Sequence, residues 1–208
     1  MELLPTPEEV IDLLRSTGGL RNGHFEYPAG PNLPGWHSSE ALQVALTMRD
    51  FQAAKILSVA LSRKLRSNSD IRAMLPNVSV VAPATGGLPV AFGVAEALRA
   101  SKVYWAERMN QSEPLRFRQH LVLDPGERVL LVDDICRTGT KLSEMKQLVE
   151  SAGGEVVAMA VIAHEPRPNC ASFGTLPFYY LAKLDVGYAD AATCSQCKAG
   201  EPVEKIWV

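Results

Sequence analysis

Two adjacent carboxylates, Asp133 and Asp134, follow the apolar run Val129 to Val132, and a short loop of Arg137, Thr138, Gly139 and Thr140 comes just behind them. The apolar run reads as a buried strand, and in open α/β sheets ligands sit beyond the carboxyl ends of strands. The chain then enters a helix near Thr140. The first turn of a helix offers unpaired N–H groups and a partial positive charge, which suit a phosphate. Gly139 permits close backbone approach, Thr138 and Thr140 add hydroxyl donors, and Arg137 adds a fixed charge. The two carboxylates would repel that phosphate. They suit hydroxyl groups, which donate hydrogen bonds to them, or a divalent cation. Hydroxyls beside a phosphate describe a phosphorylated ribose. The competing reading is an aspartate pair that merely caps a turn and a helix. Neither GxxxxGK[ST] nor GxGxxG occurs, so a P-loop and a dinucleotide fingerprint are excluded.

Positioning such a loop requires alternating elements, and the chain supplies them. "PTPEEVIDLLRSTGG" predicts a helix with Thr6 as N-cap, Pro7 at its first position, Glu9 completing a capping box, and Gly18 and Gly19 as the stop. "HFEYPAGPNLPGWHSS" predicts loop or a short edge strand. Apolar spacing from Asp50 to about Ser67 is helical. Then follow strand "VSVVAP", helix "GLPVAFGVAEALRA", strand "KVYWAE", strand "ERVLLVDD", helix "GTKLSEMKQLVESAGG" and strand "EVVAMAVIAH". Strands apolar on both faces, alternating with helices, predict an α/β fold with a mostly parallel sheet covered on each side. The organisation expected is an N-terminal helix and loop segment over 1–45, an α/β core over 46–185, and a polar, turn-rich extension over 186–208.

The 208 residues are 47% hydrophobic and 21% charged, with net charge −2. That length buries a full core without disulfides. The absence of a basic block disfavours a nucleic-acid partner. No stretch approaches the ~18 apolar residues of a membrane span, and "MELLPTPEEV" has neither a basic region nor an apolar one of the signal-peptide kind. A cytoplasmic protein with reduced cysteines is expected.

The stretch "VLLVDDICRTGTKL" resembles the phosphoribosyl-pyrophosphate (PRPP) motif of the type I phosphoribosyltransferases. "GHFEYPAG" resembles the start of the base-binding hood of the orotate branch, "VVAPATGGLPVA" its pyrophosphate loop, and "YWAER" with "LRFRQHLVLDPGERVLLVDD" its basic loop and PRPP strand. The tail "TCSQCKAGEPVEK" resembles the Cys-x-x-Cys ending of one bacterial subgroup. The likeness covers roughly residues 20 to 205. It implies the type I fold with a small hood built from the N-terminal ~45 residues and part of the C-terminus, transfer of the phosphoribosyl group from PRPP to orotate, and a homodimer. Asp133 and Asp134 would hold the ribose hydroxyls. Arg137, Thr138, Gly139 and Thr140 would cradle the 5′-phosphate. Ala84, Thr85, Gly86 and Gly87 would form the pyrophosphate loop. Arg108 would reach the pyrophosphate, across a dimer interface in one arrangement, and Arg116 or Arg118 would belong to a mobile basic loop. Mg²⁺ would be held mainly by PRPP, with no direct protein ligand. His37, Arg137 and Arg167 would face the base.

The chain departs from the family pattern in places. Extra Pro-rich residues precede His37, the basic loop has no lysine, Arg137 stands where Thr is usual, and "AHEPRPN" lacks an Asp-Arg pair, for which Arg167 is the substitute. Arg137 would either pair with a substrate carboxylate or block the pocket. Transfer to another base, and a PRPP-binding regulator without turnover, are the alternatives. His24 and His37 read as hydrogen-bonded hood residues, His120 and His164 as structural. Trp36 reads equally as a stacking platform and as a loop anchor. Cys194 and Cys197 supply two ligands where structural zinc takes four, so they read as a reduced pair in a turn, with Cys170 a third ligand only if the chain folds back. Cys136 reads as a small buried filler.

Overall fold

The computed structural model describes residues 4–27, 35–110, 113–118, 120–167 and 170–206. The Pro-rich insertion before His37, three positions of the basic loop and the end of "AHEPRPN" lie outside the described residues. In chain order the elements are α1 (Pro7–Ser16), β1 (Leu20–Tyr27), β2 (Trp36–Leu42), α2 (Val44–Met48), α3 (Phe51–Arg66), α4 (Ser69–Met74), β3 (Ser79–Pro83), α5 (Gly87–Leu98), β4 (Lys102–Glu107), β5 (Arg116–Phe117), β6 (Arg128–Cys136), α6 (Thr140–Ser151), β7 (Glu155–His164), β8 (Phe178–Lys183), α7 (Ser195–Lys198) and β9 (Glu204–Lys205).

Local chemistry sets the helix ends. The Thr6 hydroxyl accepts from the Glu9 N–H at 3.2 Å, and the Glu9 carboxylate accepts from the Thr6 N–H at 2.8 Å. Together they make a complete capping box with Pro7 behind it, the arrangement that satisfies the first free N–H groups of a helix. Gly18, at φ 78°, turns the chain out of α1, a conformation open to glycine at little cost. Asp50 caps α3 by accepting from the Ala53 N–H at 2.9 Å, the usual service of an N-cap carboxylate.

Six strands form the main sheet in the order β5-β4-β3-β6-β7-β8. All neighbours are parallel except β5, which pairs antiparallel with β4 at one edge. Residues alternate between the two faces along each strand. Leu130 and Val132 join Val80, Ala82 and Ile162 in the cluster that takes in α1, α3 and α5. Val129 and Leu131 join Val81, Met159 and Val161 in the cluster that takes in Leu142, Met145 and Val149 of α6. From β3 the chain moves outward to β4, then returns to lay β6 on the other side of β3. The carboxyl ends of β3 and β6 therefore flank the point where the winding reverses, the usual place for a ligand crevice. No helix among the described residues is long and apolar enough to cross a membrane.

Two features differ from the sequence expectations, the strands of the hood and the length of β6, while the tail joins the hood as the resemblance implied. The segment expected as loop or short edge strand forms two strands, and β1 is eight residues long and central in a second sheet of order β2-β1-β9. Its third strand comes from the tail, so the C-terminal extension is built into the hood sheet through Phe25↔Glu204 and Glu26↔Lys205. Strand β6 runs two residues past Asp134, because β7 continues the ladder through Ile135↔Ala163 and Cys136↔His164.

Helices α3 and α5 meet where Gly93 faces Ser58: a Cβ on Gly93 would lie 2.2 Å from the Ser58 hydroxyl oxygen and 2.7 Å from its Cβ. Gly93→Ala, although favourable by helix propensity, is expected to lower the urea-unfolding stability by about 1–3 kcal/mol, the cost of overpacking a tight contact. An unchanged midpoint would show that the two helices separate freely.

Candidate active site

Strand β6 delivers the acid pair into the crevice. Asp133 is 1% exposed. One carboxylate oxygen accepts the Asp134 N–H at 2.9 Å, and the other lies 3.9 Å from Lys141 Nζ. Burial first, and the neighbouring Asp134 second, push the Asp133 carboxyl well above the usual carboxylate range, since both disfavour the charged form. Asp134 is half-buried and accepts the Ile135 N–H at 2.8 Å. Lys141, in the first turn of α6, was not singled out in the sequence. Its signal was its place directly after Thr140, where a first-turn lysine faces whatever the preceding loop holds.

The loop after β3 comes against these acids. A Cβ on Gly86 would stand 2.9 Å from Asp134 Oδ2, and one on Gly87 would stand 3.1 Å from Asp133 Oδ1 and 2.8 Å from Pro83 Cδ. A side chain at either position would push against the acid pair, and glycine leaves the backbone open at the mouth of the crevice. The 12-residue helix α5 begins at Gly87, so its N-terminal N–H groups open at the same place. Ala84 is anchored by donating its N–H to the Ala106 carbonyl at 2.7 Å. The expected pyrophosphate loop, Ala84 to Gly87, and the acid pair are therefore direct neighbours.

The loop after β6 completes the crevice. Gly139, at φ 73°, precedes α6, and a Cβ there would meet Ala171 at 3.0 Å. The Thr138 hydroxyl donates to the Thr140 hydroxyl at 3.0 Å. Asp133, Arg137, Thr138, Gly139 and Lys141 line a cavity of about 140 Å³ with Cys136 in its wall. Burial and the nearby Cys170 push the Cys136 thiol up to about 12, so it is protonated and inert at neutral pH.

Arg137 divides its roles. Its backbone belongs to the loop, but its side chain turns to the hood. There Nε donates to Glu165 at 2.7 Å, Nη2 donates to the Leu42 carbonyl at 2.6 Å, and the guanidinium lies 5.5 Å from the Tyr27 ring. Glu165, completely buried, also accepts the Tyr188 hydroxyl. The carboxylate partner of Arg137 in this structure is thus supplied by the chain itself. Glu165 was not singled out in the sequence; its signal was an acid directly after the apolar strand β7. Arg167 lies 5.0 Å and 5.1 Å from the Tyr27 and Tyr188 rings, within reach of a cation–π attraction. Its buried Nε makes no hydrogen bond to a described residue. His37 turns its ring to His24 and Cys197.

The basic residues on the other side of the crevice are paired with acids. Arg108 makes a two-pronged ion pair with Glu144 of α6 and donates to the Glu113 carbonyl. Arg116 pairs with Glu113 at 2.9 Å, and Arg118 with Glu107. None of the three lines the cavity at the acid pair.

Residues 50–171 match the family model described as a phosphoribosyl transferase domain. The chain is 35% identical to the orotate phosphoribosyltransferase of Carboxydothermus hydrogenoformans, the match covering 95% of each protein. It is 32% identical to the orotate phosphoribosyltransferase of Thermotoga maritima, over 94% of this chain and 96% of that one. The fold is similar to the crystal structure of orotate phosphoribosyltransferase from Aeropyrum pernix, with a TM-score of 0.64, 20% identity and coverage of 84% of this chain and 93% of that one. The matched span takes in both the glycine loop after β3 and the acid pair of β6, and on that likeness the chain belongs to the phosphoribosyltransferase family.

Proposed function

We propose that the protein transfers the 5-phosphoribosyl group of PRPP to orotate, giving orotidine 5′-monophosphate and pyrophosphate. The observation that carries the transfer chemistry is the contact between two glycines and two acids, Gly86 with Asp134 and Gly87 with Asp133, at the reversal point of the sheet. It puts an anion-binding backbone beside a hydroxyl-binding acid pair, the spacing a ribose with a pyrophosphate on C1 requires. Similarity to proteins named orotate phosphoribosyltransferase along nearly the whole chain supports orotate as the base.

In this reading the ribose hydroxyls donate to Asp133 and Asp134. The 5′-phosphate lies on the backbone N–H groups of Thr138 to Thr140 and the N-terminus of α6. The pyrophosphate lies on Ala84 to Gly87 and the N-terminus of α5. The C1–O bond breaks with its electron pair passing to pyrophosphate, and a C1–N bond to the base forms. Positive charge grows on the ribose as it does so. Two carboxylates held beside the ring stabilise that charge, and being fixed by the sheet they need no reorganisation. Mg²⁺ would supply neutralisation of the pyrophosphate oxygens and would be held mainly by PRPP rather than by direct protein ligands, beside the hard oxygens of Asp133, Asp134 and Thr138. Arg108, Arg116 and Arg118 exchange their present acid partners for pyrophosphate when the basic loop closes. Arg167, whose Nε has no described partner, takes the carboxylate of orotate in a charge-assisted hydrogen bond.

A two-fold dimer forms part of the same proposal. Phe51 and Phe92, 77% and 54% exposed, line one groove between α3 and α5 with Met48 and Pro89. An apolar face of this kind suits a second copy of the chain, and two-fold pairing is the commonest assembly.

The decisive assay follows orotate consumption by its ultraviolet absorbance with PRPP and Mg²⁺, other bases being run in parallel. Turnover with orotate alone is expected; turnover with another base would discard the orotate assignment, and saturable PRPP binding without any turnover would discard catalysis. Asp133→Asn is expected to lower kcat/KM at least ~10-fold, the loss of a charged hydrogen-bond acceptor. The same variant should be more stable than the parent at neutral pH. The Asp133 carboxyl is raised in the folded state. Its cost to stability is therefore absent below the unfolded value of about 4 and grows as pH rises towards the folded value. The stability gain should accordingly vanish in acid, measured by urea unfolding across pH. Phe92→Lys should shift sedimentation from dimer towards monomer; a dimer unaffected by it would place the interface elsewhere.

A further inference from the structure

Four metal-ligating side chains meet in the hood, drawn from opposite ends of the chain. His24 stands on β1, His37 on β2, and Cys194 and Cys197 at the start of α7. His24 Nε2 lies 2.9 Å from His37 Nδ1 and 3.5 Å from each of the two sulfurs, and His37 Nδ1 lies 3.3 Å from Cys197 Sγ. All four ligand atoms fall within 4.8 Å of one another. A tetrahedral ion with Zn–N of about 2.05 Å and Zn–S of about 2.3 Å requires N···S separations of about 3.6 Å and N···N of about 3.3 Å. The nitrogen–sulfur separations match, and the two nitrogens are closer by a few tenths of an ångström.

We propose that His24, His37, Cys194 and Cys197 form a closed structural zinc site that fastens the C-terminal tail to the hood. Three observations besides the spacing support it. The site is sheltered: His24, His37 and Cys194 are buried and Cys197 is half-buried. Two thiolates, two neutral imidazoles and one divalent cation sum to zero charge, which suits such a position. The outer contacts orient the ligands. The Glu201 carbonyl lies 3.0 Å from His24 Nδ1 and so takes that nitrogen's proton in a hydrogen bond, leaving the Nε2 lone pair facing the cluster. His37 is fixed by backbone hydrogen bonds in both directions with Ala189 of the tail.

The donor set selects the metal. Two thiolates with two imidazoles in a tetrahedron favour Zn²⁺ over the hard cations that carboxylates and carbonyls select. Four protein ligands leave no open position, which marks a structural site. The two-ligand reading of the Cys-x-x-Cys pair is thus completed by histidines far away in sequence, His24 lying 170 positions before Cys194. Cys170, the third ligand considered from sequence, belongs elsewhere: its sulfur lies 3.8 Å from His164 in a group of three with Cys136. The proposal is independent of the base or the reaction assigned to the crevice.

The test is metal analysis of the full-length protein, purified without chelator under reducing conditions. One equivalent of zinc retained through gel filtration is expected. Cys197→Ser and Cys194→Ser should each lose it, whereas Cys170→Ser should keep it. Replacing zinc by Co²⁺ in the unaltered chain should give the intense visible bands of a tetrahedral site with a thiolate-to-cobalt transition, a readout that needs no variant to fold. No retained zinc and no uptake when Zn²⁺ is added, a pale six-coordinate cobalt spectrum, or zinc lost from Cys170→Ser as readily as from Cys194→Ser would each overturn the proposal.

Discussion

Within β6, three residues before its carboxyl end, an acid occupies a position that a parallel sheet ordinarily fills with a branched apolar residue. Asp133 pairs with Val161 in the ladder and has almost no contact with water. A carboxylate there is costly unless it is met by hydrogen bonds and positive charge, and the surroundings answer that constraint one residue at a time. The Asp134 N–H and the Lys141 ammonium approach it, the loop from β3 presents glycines where a side chain would collide, and two helices open their N-termini towards it. What remains of the cost is the condition under which a hydroxyl-bearing ligand is favoured, since its donors would satisfy oxygens that the protein satisfies only in part.

The hood is joined to this crevice by a second buried charge. Arg137 leaves the loop after β6 to meet Glu165 and the Leu42 carbonyl, and Tyr27 and Tyr188 pack around the pair. A buried ion pair adds little net stability, and its stronger effect is to fix geometry. Here it ties the end of β6, the end of β7 and the exit of β2 together. It also balances charge: Glu165 neutralises Arg137, while Arg167 lies over the two tyrosine rings and its Nε has no hydrogen-bond partner among the described residues.

Much of the core was legible because its signals are local. The period of Val129 to Val132, the Thr6 capping box and the paired glycines after α6 each determine their element within a few residues, and the observed bounds of β4 and β7 coincide with those read from the chain. The acid pair and the glycine loop were legible as chemistry. Their contact was not, because it depends on β3 and β6 becoming neighbours although α5, β4 and β5 all come between them in the chain. The same limit hid the partner of Arg137, Glu165, which lies 28 positions further along the chain. It hid the hood most of all. A Pro- and Gly-rich stretch looks like loop, yet β1 holds its eight residues in a strand because β2 and the distant β9 supply its hydrogen-bond partners.

That last pairing has a consequence for how the molecule comes into being. A ribosome releases the chain from its amino end, and the strands of the main sheet are all available once Lys183 has emerged. The central strand of the hood, which precedes the whole main sheet in the chain, must then wait for Glu204 and Lys205 before its second edge is covered. Contacts of such long sequence separation form late, since closing so large a loop is the slowest part of a fold. The nascent protein therefore passes through a stage in which the core is complete while one edge of β1 is bare. Glu204 and Lys205 are the residues that turn the hood from a two-stranded hairpin into a three-stranded sheet.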